Sequence, residues 1–169
     1  MNETTDREAR AEETYARLFG PRDTSAPDND PEFGRILRTL IFGDVFAAGD
    51  LNDTTRELIT VTVLATLTTP TQLKAHTRAA LKVGVTPVEL REAVYQLAPF
   101  IGFPRTLNAV AALNEVFDAL GIPLPLPPQA TTTDADRDAR GRAIQAPLYG
   151  TEIADELADE PLAGCCRGS

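Results

Sequence analysis

The sequence has little of what metal and thiol chemistry needs. It holds one histidine, His76, and two cysteines, Cys165 and Cys166, in 169 residues, and no tryptophan. Cysteines adjacent in sequence rarely close a disulfide and lack metal-ligand spacing, so they read as terminal bystanders and no metal site is expected. No run approaches the twenty apolar residues a membrane helix requires. The start, MNETTDREAR, is charged and without an apolar signal region, which places the chain in the cytoplasm as an expectation. Basic excess is also missing. The net charge is −9, with nine acids against four bases in residues 1–33, eight against four in 129–169, and eight of each between. Without a basic stripe, binding to nucleic acid or an anionic membrane is not expected.

What the sequence does have is a helix-forming centre from Thr54 to Val83, which carries Glu57 and His76. Thr54 with Glu57, Thr69 with Gln72, and Thr86 with Glu89 each fit the capping box, in which a hydroxyl and a side chain three residues on satisfy orphan amides. Pro70 and Pro87 follow their threonines at the first helical position, where a missing N–H costs nothing. Leu58 to Thr69 is rich in Ile, Val and Thr, which favour strand by propensity. Its opening cap and its length favour helix. The pair is expected as an antiparallel hairpin that turns at Thr69-Pro70.

Helices are also expected from Thr5 to Phe19, ended by Gly20-Pro21, and from Glu32 to about Ala47, with Gly43 interrupting the second near Phe42. Arg22 to Pro31 reads as a polar linker. Gly84 stops the central pair, Pro87 opens a helix to about Ala98, and Phe100 to Pro104 reads as an apolar turn. A last core helix runs from Pro104 to Leu120, closed by Gly121. It is apolar over so wide an arc that part of it calls for a neighbouring subunit, so a homo-oligomer is expected. The domain organisation is then an N-terminal helix and linker (1–31), a helical domain (32–121), a stiff Pro-rich linker (122–133) and a C-terminal helix (134–169). That last segment echoes the first. Asp136-Arg137-Asp138-Ala139-Arg140 with Leu148-Tyr149-Gly150 matches Asp6-Arg7-Glu8-Ala9-Arg10 with Leu18-Phe19-Gly20 at an offset of 130, which reads as the opening of a truncated second copy. Ile144 to Leu157 is then expected to dock as Ala11 to Phe19 does.

Arg56-Glu57-Leu58, His76, Gly84-Val85-Thr86 with Glu89 and Glu92, and Gly102-Phe103-Pro104 with Asn108 follow one another in an order that resembles the carboxymuconolactone decarboxylase family over about residues 32–120. The resemblance implies an all-α, compact helical domain of the alkylhydroperoxidase-like type, assembled as trimers or hexamers. The thiol-peroxidase branch of that family has a C-x-x-C pair between its glutamate and a histidine nineteen residues on. Glu57 and His76 keep that spacing, but Thr69 and Gln72 stand at the cysteine positions. With no thiolate to attack peroxide, a peroxiredoxin-type mechanism is excluded at this site.

The decarboxylase branch remains, and with it a carboxy-lyase of aromatic catabolism acting on a small carboxylated lactone with no cofactor. Such a reaction needs a proton donor where carbanion-like charge appears, and His76 is the candidate acid or base, with Glu57 to orient the imidazole or relay a proton. A carboxylated substrate needs cations: Arg56, Arg105 and Lys74 are near in sequence, with Gln72 as a polar neighbour. Other readings stand beside these. Glu57 is equally suited to close a capping box with Thr54, His76 to pack or face solvent, Gln72 to cap, and Arg105 to form a surface ion pair. A catalytically silent oligomeric member of the family is the alternative function. By helical rise, Glu57 lies about 16 Å below the turn and His76 about 9 Å, so the two are expected not to touch, with water or substrate between them.

Overall fold

A computed structural model describes residues 3–22 and 29–150, and every regular element among them is helical. The elements are α1 (Glu3–Phe19), α2 (Pro31–Arg38), a π-helical segment (Thr39–Val45), α3 (Asp53–Thr66), α4 (Pro70–Lys82), α5 (Pro87–Tyr95), α6 (Ala98–Ile101), α7 (Phe103–Ala119) and α8 (Arg137–Tyr149). They fall into two compact units divided after Leu126, and α8 belongs to the second. Cys165, Cys166 and the part of the proposed second copy beyond Gly150 lie outside the described residues.

The first unit is built around α3, α4 and α7. Val61 and Ala65 of α3, Leu73 and Ala80 of α4, Leu90 and Val94 of α5 and Leu113 and Phe117 of α7 form one buried cluster. Each large apolar side chain so buried contributes about 1.5–3 kcal/mol. A second cluster, made by Ala11, Leu18, Phe42 and Ala79, binds α1 and the π-helical segment to the far side of α4, with Tyr15, Phe19 and Phe46 packed around it.

Local signals explain most boundaries, with several corrections. Thr86 and Glu89 form the full capping box of α5: Thr86 N–H donates to Glu89 Oε2 at 2.7 Å, and Glu89 N–H to Thr86 Oγ1 at 3.2 Å. The box expected at Thr54 does not form. Asn52 caps α3 instead, its Oδ1 accepting from Thr55 N–H at 2.9 Å, and Glu57 is turned inward. Thr69 gives α4 no side-chain cap, because its hydroxyl donates to the Leu64 carbonyl.

The second helix does not break at Gly43. It widens into the π-helical segment, and Gly43 serves a different need, since a Cβ there would meet the Arg7 carbonyl oxygen at 2.8 Å. The helix expected to run to about Ala98 ends at Tyr95, and a short helix, Ala98–Ile101, enters the turn expected from Phe100 to Pro104, because Pro99 needs no N–H in a first turn and the Ile101 and Gly102 amides find the carbonyls of Leu97 and Ala98. Nor is the Pro-rich stretch wholly a spacer. Leu126 is buried against the core, and its carbonyl accepts from Arg91 at 3.2 Å.

Candidate active site at the α3–α4 pair

Glu57 sits one turn into α3, on the face that also buries Val61 and Ala65, and is 0% exposed. His76 lies midway along α4 with its side chain 18% exposed. Its Nδ1 is 2.9 Å from Glu57 Oε2, so the direct contact that the axial count disfavoured is made. That count set the two helices flush at the turn and ignored the reach of both side chains, which between them close the gap of about 7 Å.

A carboxyl group removed from water is costly unless it is paired, and His76 supplies the pairing. The second oxygen, Glu57 Oε1, is buried without a hydrogen-bond partner among the described residues, a situation that costs about 1–3 kcal/mol and is uncommon in native structures. With Nδ1 held by the carboxyl, Nε2 is the ring nitrogen left to exchange protons. Phe19, the last residue of α1, meets the imidazole edge to face with centroids 5.2 Å apart, and its ring packs in turn on Tyr15 and Phe42. α1 therefore contributes one wall of the site, and its last residue before the Gly20-Pro21 stop delivers the aromatic. Periodicity marked Phe19 as apolar, but nothing in the sequence tied it to His76, whose contact with it is tertiary.

The cations named from the sequence have different fates. Arg56 donates to the carbonyls of Leu51, Val45 and Ala48, and its guanidinium lies 5.6 Å from the Phe46 ring centroid. It ties down the segment that leads into α3. Lys74 is ion-paired with Glu115 of α7. Gln72 is exposed on the first turn of α4. Arg105 forms no ion pair among the described residues, contrary to the surface pair its position suggested. It lines a hollow of about 310 Å³ together with Asn108. The hollow lies between the α3–α4 turn and α7, and neither Glu57 nor His76 is among its lining residues. Among the described residues no group of three or more His, Cys, Asp or Glu side chains is arranged to hold a metal ion. No described helix is long and apolar enough to cross a membrane.

Comparison with known proteins bears on this geometry. Residues 31–115 match the sequence profile of the carboxymuconolactone decarboxylase family. A 4-carboxymuconolactone decarboxylase from Acinetobacter baylyi (strain ATCC 33305 / BD413 / ADP1) is 33% identical over 95 residues, covering 56% of this chain and 71% of that protein.

Proposed function

The chain belongs to the carboxymuconolactone decarboxylase family, on the decarboxylase-like side that lacks the C-x-x-C cysteines, and we propose that it is a cofactor-free carboxy-lyase acting on a small carboxylated lactone. The observation that carries this reading is the buried Glu57 carboxyl held 2.9 Å from His76 Nδ1. In such a reaction the C–C bond to the carboxylate breaks, CO2 departs, and the electron pair passes into the conjugated lactone. A proton must then be delivered to the carbon skeleton. His76 supplies it from Nε2, while Glu57 fixes the ring orientation and offsets the positive charge the imidazole carries before transfer. A placed acid of this kind contributes about 10²–10⁴-fold. Thr69 and Gln72 at the thiol positions support lyase over peroxidase chemistry, and the name of the Acinetobacter relative supports the substrate class.

The test is release of CO2 from 4-carboxymuconolactone. Turnover by the full chain is expected to fall about 10²–10⁴-fold in His76→Ala, with the helical circular dichroism retained, and to survive Cys165→Ser with Cys166→Ser. An undiminished rate in His76→Ala would overturn the assignment. A second reading, a catalytically silent oligomeric module, is favoured by one observation: Phe19 covers the imidazole and leaves it 18% exposed. On that reading the wild-type chain turns over no lactone. Under either reading we propose that the chain works as a homo-oligomer, a trimer or hexamer, because large apolar side chains of α3, α6 and α7 are exposed in the single chain.

A further inference from the structure

The hollow beside Arg105 is chemically unlike the Glu57–His76 pair. Its floor is apolar, formed by Ala65, Leu73 and Ala109, and small residues keep it open. Polar residues come from both walls: Arg105, Asn108 and Glu115 from α7, and Thr68 and Thr69 from the turn that forms the facing wall. The same wall holds the N-terminal end of α4, a helix of 13 residues that receives no side-chain cap. Pro70 offers no amide there, but the positive end of the helix favours negative charge near it. The one acid in the lining, Glu115, is matched by Lys74, so Arg105 provides the unbalanced charge.

We infer that this hollow is a second binding site, separate from the Glu57–His76 pair, for a small ring carrying a single carboxylate. Size sets the ring: about 310 Å³ is at the lower end of ligand pockets, and a dry cavity half as large already takes benzene. Charge sets the carboxylate. A planar guanidinium matches its two oxygens in a fork, while a multiply charged group would face Glu115 with only one unpaired cation. Separation follows from the lining itself, which includes buried Leu73 of α4 but neither Glu57 nor His76.

Benzoate is the probe, titrated into the full-length isotope-labelled chain and followed by amide chemical shifts. Saturable shifts are expected at Thr69, Asn108 and Ala111. Arg105→Gln should weaken binding about tenfold or more, in line with loss of a charge-assisted pair. Ala111→Phe, placed at an exposed position of the lining, should abolish it by filling the hollow without disturbing the core. His76→Ala should leave it unchanged. The inference is overturned if benzoate shifts none of these amides saturably, if both α7 variants bind as the wild type does, or if His76→Ala binds no better than Arg105→Gln. None of these results depends on turnover of a lactone, so the fate of the decarboxylase reading is decided separately.

Discussion

Glu89 shows how one side chain couples a helix end to pH. Its carboxyl accepts from the Thr86 backbone amide and then from the Thr86 hydroxyl, and these bonds hold it below its ordinary value of 4.5. A depressed acid adds stability above its unfolded value, and that stability is lost as pH falls through the folded value. Glu89→Gln keeps the shape of the capping box but cannot titrate. Melting temperatures taken from pH 7 down to pH 3 should therefore drop more steeply for the wild type than for Glu89→Gln below about pH 4.5; parallel curves would refute the linkage. Glu57 carries the contrasting lesson. In sequence it satisfies the same S/T-x-x-E pattern with Thr54, yet Asn52 takes the cap and Glu57 goes to the core. Spacing to His76 was legible and contact was not, because contact depends on how two helices meet beyond their turn. Arg105 and Arg56 were indistinguishable as isolated cations. Only the carbonyls of the 45–51 segment, which surround one and not the other, separate them.

Among the elements, the join between α2 and the π-helical segment was the least legible. Hydrophobic spacing runs through both, and the widened turn has no local signature; it arises where α1 presses its backbone against Gly43. A Cβ at position 43 would stand 2.8 Å from the Arg7 carbonyl oxygen, which is backbone and cannot swing away. Gly43→Ala should therefore destabilise the fold by about 1–3 kcal/mol, an overpacking cost measurable by chemical denaturation. The loss should reach the site as well, since α1 carries Phe19 to His76. Unchanged stability would mean that α1 is not seated so closely. By contrast, the starts of α4, α5 and α7 were legible from Pro70, Pro87 and Pro104, because proline acts on its own turn whatever the tertiary context.

At the scale of the whole molecule, α3 is apolar on two sides. Glu57, Val61 and Ala65 face inward, while Ile59, Val63 and Leu67 recur at four-residue spacing on the outer face and are 49%, 49% and 61% exposed. This double apolar character is why the segment reads as a strand by propensity and as a helix by its cap. A second patch is made by Phe100, Phe103 and Leu107, at 79%, 74% and 63% exposure around the α6–α7 corner. Single-chain proteins keep exposed apolar patches small, so these side chains call for cover. The proposed homo-oligomer gives both patches cover. Light scattering on the eluting protein should accordingly report a mass several times the 18.2 kDa chain. Val63→Glu combined with Phe103→Glu, both at exposed positions that a single folded chain tolerates, should reduce that mass to one chain while helical content persists. A wild-type chain that elutes as a monomer at micromolar concentration would remove the reason offered here for the two-sided α3, and a double variant that keeps the wild-type mass would move the contact to another face.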